Sequence, residues 1–332
     1  MIRNHLLEKS LIEREGTDRM YKQAVVKGCT NRKKTRNVSN TWLEIKKNKS
    51  IYLYISPFYI LFLIFGLFPI LYSIVLSFQK WDGISEPQFV GLSQFQMMLK
   101  DIDFWKSILN TFIIWFESTV PMLVFALIIA FLINSKFIKG REVYRVLYFL
   151  PNVTSVVAVA IVFATLFGNK YGLLNYFLTK LGLSPIEWLK VPKWLQVAIS
   201  SMVVWRWTGY NAIIYLAGLQ KIPTNLYEAA KIDGATGVQT FFKITIPLLN
   251  PVIIFTVITS TIGGLQLFTE PQVLIGDGGG PGGGGMTIVL YLYRQAFVKH
   301  SFGYAATISW GLFFIIAIFS IINWLVVRRQ AD

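Results

Sequence analysis

Acidic side chains, histidines and cysteines are scarce in this chain. Its 332 residues include 17 Asp and Glu against 32 Lys and Arg, with two histidines and one cysteine, Cys29. A single cysteine excludes an intrachain disulfide. His5 and His300 lie outside the apolar runs and assemble no metal-ligand set, so no metal site is expected. No Ser/His/Asp or Cys/His arrangement is legible, which excludes hydrolytic chemistry and argues that the chain is not itself an enzyme. Charge is also low, at 15% of residues, where a soluble domain has about 25%. A nucleotide cradle is missing as well. The run "GDGGGPGGGG", Gly276–Gly285, is followed by Met286 and Thr287, not by the Gly-Lys-Ser/Thr that opens a phosphate-binding helix. It reads as a flexible loop, and any ATP hydrolysis falls to a partner.

What is present is apolar. Hydrophobic residues make up 54% of the chain and gather in six runs of about 20, long enough to cross a bilayer. The runs are about Ile51–Phe78, Ile108–Ile133, Leu147–Phe167, Leu195–Leu219, Ile246–Phe268 and Ala305–Val327. Backbone polar groups in hydrocarbon must pair within their own segment, so helices are expected. The period-2 alternation of a membrane barrel is absent from these runs. The first run is too long for a signal-peptide core and reads as an uncleaved span. The expected fold is all-α: a six-helix membrane domain over residues 51–332 behind a basic tail, residues 1–50.

The formal charge of +15 does not point to nucleic acid. The tail alone holds 13 Lys/Arg against 5 Asp/Glu, as expected for a basic segment beside a first span. It suits the anionic inner leaflet. Asn134–Val146 carries four basic residues, Gln220–Thr245 three and the C-terminal end two. The other three loops, although longer, carry three, four and two. Both termini and the 220–247 loop are therefore expected to be cytoplasmic. In the outer loops Trp81, Phe95 and Trp105 suit the membrane interface, and Leu181–Trp194 reads as a short surface helix.

Tyr227–Pro251, "YEAAKIDGATGVQTFFKITIPLLNP", is polar at its start and lies between two spans. A solvated connection is the simplest reading of its composition. The pattern says more. Pro223 and Thr224 suit a helix start, and Glu228 falls in the first turn, where a carboxylate complements the helix dipole. Ala229 and Ala230 are small enough for a second surface to approach. Asp233 and Gly234 suit a turn, then Phe241, Phe242 and Ile244 lead to Pro247 and the next span. A helix, a turn and a second short helix with an exposed acid is the layout of a docking element.

Glu228-Ala229-Ala230, then Gly234, Ile244 and Ile246-Pro247, resembles the "EAA" signature of permease subunits of binding-protein-dependent ABC importers. Ile246 stands where that family usually has Leu. "SPFYILFLIFGLFPILYSIVLSF" resembles the family's first span, "YRVLYFLPN" (Tyr144–Asn152) its entry to the third, and "FTEPQVLIGDGGGPGGGG" a loop of its carbohydrate branch. Asn110-Thr111 at the start of the second span also fits. The resemblance implies the type I importer permease fold in a bacterial inner or plasma membrane, with the Glu228 helix as a coupling helix docked in a cytosolic ATP-binding subunit. It also implies a second, homologous permease subunit, two ATPase subunits holding ATP and Mg, an extracytoplasmic solute-binding protein and a sugar substrate, a di- or oligosaccharide. No cofactor is expected in this chain.

The spans beside this loop carry polar and aromatic groups. Trp207, Tyr210 and Asn211 in the fourth, and Ser260, Gly263, Gly264 and Gln266 at the end of the fifth, are candidates for a solute pathway. Such residues in a span face either a cavity or a neighbouring helix, and aromatic faces with amides and hydroxyls suit a sugar. Arg206 can snorkel, pair with Glu117 or Glu270, or touch solute. An ion-coupled transporter acting alone is the alternative, but Glu117 and Arg206 are the only charges well inside the spans.

Overall fold

A computed structural model describes residues 47–135 and 138–331, with side chains up to Ile322. The basic tail falls outside these residues as far as position 46. The chain divides into two compact units, Met1–Ile70 and Leu71–Asp332. Described residues of the first form α1 (Lys49–Phe62), a π turn (Leu63–Leu67) and the start of α2 (Phe68–Ser77). No residue of α1 is buried.

The second unit opens with the rest of α2, followed by a short antiparallel pair, β1 (Gln79–Lys80) and β2 (Gln88–Phe89), in the register Gln79 to Phe89 and Lys80 to Gln88. Helices follow: α3 (Ser93–Lys100), α4 (Ile102–Asn134), α5 (Arg141–Val153), α6 (Val156–Leu166), α7 (Leu173–Lys180), α8 (Pro192–Leu219), α9 (Thr224–Ile232) and α10 (Gly237–Thr240). A π turn, Phe241–Thr245, leads into α11 (Ile246–Leu265), then come α12 (Thr269–Ile275), α13 (Ile288–Tyr293) and α14 (Phe302–Ala331).

Among the described residues four helical segments are long and apolar enough to cross a membrane: Lys49–Ser77, Ile102–Asn134, Gly237–Leu265 and Phe302–Ile322. These correspond to the first, second, fifth and sixth expected spans. The third, expected as one helix, is α5 and α6 meeting at 91°. The bend falls just after Pro151, where Thr154 is extended and its hydroxyl donates to the Leu150 carbonyl. The fourth is α8. Its 28 residues reach about 42 Å at 1.5 Å per residue, but the Trp-Arg-Trp-Thr-Gly-Tyr-Asn stretch makes it less apolar than the others.

The core forms where α4, α8 and α11 pack. Ala126 and Ala130 meet Ala212, Tyr215, Leu216 and Leu249. Small residues let the backbones approach, because lipid supplies no hydrophobic drive between helices. The buried Thr256 hydroxyl donates to Tyr215 Oη at 2.7 Å. A second cluster joins Met98, Phe104, Leu290, Tyr304 and Ile308.

Two loop expectations are corrected. Leu181–Trp194 is not a surface helix. Its first residues are irregular, and Pro192–Trp194 already belong to α8. Pro185 supplies no N–H, and the buried Asn175 side chain grips the segment instead. It donates to the Ile186 carbonyl at 2.9 Å and accepts from Ile186 N at 3.0 Å and Trp188 Nε1 at 2.9 Å. Gly276–Gly285 is not a free loop either. Gly279, Gly284 and Gly285 are buried. Asn110 Nδ2 donates to the Gly283 carbonyl at 2.8 Å, and Gln196 Nε2 to that of Gly284 at 3.1 Å.

Candidate functional site

Pro192 sits in the first turn of α8, where its missing N–H costs nothing. In the resulting helix Val203, Arg206, Trp207, Tyr210 and Asn211 recur every three or four residues and share a face. The last turns of α11 present Thr259, Ser260, Gly263 and Gly264 in the same way, and the chain then turns through Gln266–Phe268 into α12. Between them lies a cavity of about 470 Å³, within the ~300–1,000 Å³ of ligand sites. Trp207, Tyr210, Asn211, Ser260, Gly263, Gly264 and Gln266 all line it. Thr119, Met122, Thr269 and Glu270 line it too and were not expected there. Thr119, a hydroxyl within an apolar run, was the available signal.

The two charged side chains of the lining are Arg206 and Glu270. Arg206 Nη1 donates to Glu270 Oε1 at 2.6 Å, with side-chain exposures of 12% and 5%. Of the alternatives left open for Arg206, pairing with Glu270 is the one realised. Trp207 Nε1 donates to the same carboxylate oxygen at 3.3 Å, and the guanidinium lies 5.9 Å from the Trp207 ring. Arg206 Nε is buried without a partner. Trp207 and Tyr210 meet nearly perpendicular, centroids 5.8 Å apart. Asn211 donates to the Trp207 carbonyl at 3.0 Å. Gly263 has open space where a side chain would begin, whereas Gly264 packs on Trp115. The glycine pair does not break α11, which continues to Leu265.

Glu117 lies elsewhere, in a wider groove of about 1010 Å³ between α4, α5 and α8. There it accepts a long hydrogen bond from Ser200 Oγ at 3.5 Å. That groove is larger but mostly apolar, and the polar residues converge on the smaller cavity.

The loop after α8 forms as a helix, a turn and a second short helix, but Glu228 is the fifth residue of α9 and not in its first turn, which holds no acid because the helix already starts at Thr224. Pro223 stands extended at the N-cap position of α9 without a side-chain capping bond, Gly234 turns the chain at φ +75, and Thr236 with Gln239 closes a capping box on α10. Phe241 packs edge-on against Phe131 of α4, centroids 5.0 Å apart, and Tyr227 Oη lies 3.2 Å from Thr245 Oγ1. Glu228, Ala229, Asp233 and Pro247 are exposed and Ile244 is half-buried in the π turn. Ala230 is buried, so the small-residue face narrows to Ala229. Ile232, Val238 and Phe242 stand exposed at 86%, 67% and 64%, and such apolar side chains do not suit a merely solvated connection.

At the start of α4, Asp101 accepts from Asp103 N at 2.9 Å and from the hydroxyls of Tyr291 and Tyr304 at 2.5 Å each. Burial works to raise its pKa, but these bonds together outweigh it and hold the carboxyl below its ordinary value.

Residues 102–331 match the family described as binding-protein-dependent transport system inner membrane component. The lactose transport system permease protein of Rhizobium radiobacter is 40% identical over 283 residues, 84% of this chain and 94% of that protein. The arabinooligosaccharides transport system permease protein of Bacillus subtilis (strain 168) is 37% identical over 281 residues, 83% of this chain and 88% of the other. Among solved structures, a chain of the bacterial alginate ABC transporter in complex with its alginate pentasaccharide-bound periplasmic protein superposes with a TM-score of 0.76. It is 24% identical, and the match covers 88% of this chain and 98% of that one. That likeness concerns the fold, the type I importer permease arrangement.

Proposed function

Since the chain belongs to the family of binding-protein-dependent transport system inner membrane components, we propose that it passes a di- or oligosaccharide through the cavity between α8 and α11 and couples that passage to ATP through α9. The chain is a membrane permease of an ABC importer. The sugar assignment draws support from relatives named for lactose and for arabinooligosaccharides. The observation that carries it is the convergence of all seven aromatic, amide, hydroxyl and glycine positions on one cavity. Sugars present apolar C–H faces and many hydroxyls, and the ring pair Trp207–Tyr210 with Asn211, Ser260 and Gln266 offers both kinds of contact.

The remaining parts follow as one machine. Six spans form half a pathway, completed by a second, homologous permease subunit. Both termini and the α9 loop lie on the cytoplasmic face, as the distribution of Lys and Arg indicates. Glu228, Ala229 and Asp233 meet a cleft of an ATP-binding subunit, with the exposed Ile232, Val238 and Phe242 covered by that contact. ATP and Mg sit on the two ATPase subunits and not on this chain. ATP shifts the access of the pathway only by binding the closed arrangement better than the open one. An extracytoplasmic binding protein delivers the solute. In the cavity the Glu270 carboxylate is already paired with Arg206 and accepts from Trp207, an arrangement that does not favour an ion-coupled transporter.

Co-expression with candidate ATPase and permease partners tests this reading. The assembled complex hydrolyses ATP in response to loaded binding protein. Glu228→Ala cuts that stimulation at least tenfold or breaks assembly. Stimulation unchanged in an assembled Glu228→Ala complex, or transport by this chain alone, overturns the coupling role.

A further inference from the structure

We propose that the buried Arg206–Glu270 pair is a charge filter, restricting the cavity to uncharged saccharides. The inference rests on the reading of this cavity as the sugar passage. Arg206 comes from α8 and Glu270 from α12, and they meet at 2.6 Å as the two charged side chains of the lining. Their charges cancel, so the space between α8 and α11 is polar but neutral.

The consequence follows from desolvation. A charged ligand entering a space poor in water needs a compensating charge. From this chain's lining an anionic sugar can obtain one only from Arg206, whose charge Glu270 already neutralises through Nη1. Displacing Glu270 would leave its buried carboxylate unpaired beside the incoming anion. A cationic sugar meets the mirror-image problem at Arg206. A neutral sugar meets neither, and the amides and hydroxyls of Asn211, Gln266, Ser260 and Thr119 suffice for it. Discrimination here comes from what the site refuses, independently of what it attracts.

The pair also positions the aromatic wall. Trp207 Nε1 donates to the same Glu270 oxygen at 3.3 Å, and the guanidinium lies 5.9 Å from the indole ring. Glu270→Gln keeps an acceptor oxygen for both donors and removes only the charge. It therefore separates the filter from the positioning of the ring.

The test is equilibrium binding to the assembled permease–ATPase complex in nanodiscs, without binding protein. The neutral probes are lactose, cellobiose and arabinobiose; the charged probes are digalacturonate and diglucosamine. Wild type binds at least one neutral disaccharide five-fold or more tighter than either charged one. Glu270→Gln shifts the ratio toward digalacturonate by at least five-fold, and Arg206→Gln shifts it toward diglucosamine. The double variant Arg206→Gln/Glu270→Gln restores the neutral preference. Wild type binding digalacturonate as tightly as the neutral sugars overturns the filter, and this measurement needs no variant to fold. So does an assembled single variant whose ratio moves less than five-fold. Absence of any disaccharide binding to assembled wild type instead removes the sugar-passage reading itself, and the filter with it.

Discussion

Gly209 of α8 lies directly against the carbonyl group of Tyr148 in α5, so close that a Cβ on Gly209 would land on the Tyr148 oxygen. This contact docks the first half of the bent third span onto the fourth, one turn from Trp205 and two residues from Asn211. Both partners are backbone, so neither can retreat by changing rotamer. Overpacking typically costs about 1–3 kcal/mol, and helix separation in lipid loses direct backbone packing. Gly209→Ala is expected to lower the melting temperature and the yield of the purified complex in fluorescence-detected gel filtration. Gly263→Ala, at a position with open space, is the control and is expected to leave both unchanged.

Asp101 joins three elements, since α4 begins on it while Tyr291 of α13 and Tyr304 of α14 donate to its carboxylate. Its pKa in the folded protein lies below the ordinary 3.8. The stabilisation is therefore complete above that value and is lost as pH falls through the lower, folded value. Thermal unfolding followed from pH 7 to pH 3 is expected to carry this group's full contribution from pH 7 downward and to begin losing it only at the acid end. Asp101→Asn is expected to lower stability at pH 7 and to flatten the acid limb. Tyr291→Phe and Tyr304→Phe each remove part of the same effect. An Asp101→Asn protein as stable as wild type at pH 7 sinks this account.

Residues legible in the sequence were those whose signal is local. Span positions follow from apolar runs, because each run must satisfy its own backbone. The α9–α10 loop follows from Pro223 and Gly234, which act within a few residues, while the Thr236/Gln239 capping box that starts α10 was not read from the sequence. The cavity set was legible because polar groups in a span need a partner or a cavity. What stayed hidden depends on distant neighbours. Asn175 decides the path of Leu181–Val191 from outside that segment. Asn110 and Gln196 pin a glycine run whose composition alone suggests freedom. Arg206 had two candidate acids, and only the fold brings Glu270 to it while leaving Glu117 in another groove. The 91° bend was masked because Val153–Val157 stays mostly apolar across it.

Gly234 separates backbone from packing in the α9 loop. It holds φ at +75, and a Cβ there would meet nothing within 4 Å. A substitution thus acts through the left-handed backbone alone, about 1–2 kcal/mol for most L-residues. Asn tolerates this region better than Ala, and Val worse. ATP hydrolysis stimulated by loaded binding protein is expected to fall in the order wild type, Gly234→Asn, Gly234→Ala, Gly234→Val. Equal activity across the series would mean that the turn need not hold its shape during coupling.

The glycine loop gives the last prediction. Asn110 Nδ2 donates to the carbonyls of Gly283 and Met286 at 2.8 and 3.2 Å, and its Oδ1 accepts from Gln196 Nε2 at 3.0 Å, which also reaches the Gly284 carbonyl. Two amides from α4 and α8 thus share the tethering of one loop. Leaving a buried polar group without its partner costs about 1–3 kcal/mol. Asn110→Leu and Gln196→Leu are each expected to raise amide exchange over residues 279–286 by roughly an order of magnitude, the equivalent of about 1.4 kcal/mol. Because the tethers contact each other, the double variant should exchange little faster than either single one. Independent, additive effects would show that each amide holds its own carbonyl and that the Asn110–Gln196 bond contributes nothing to fixing the loop.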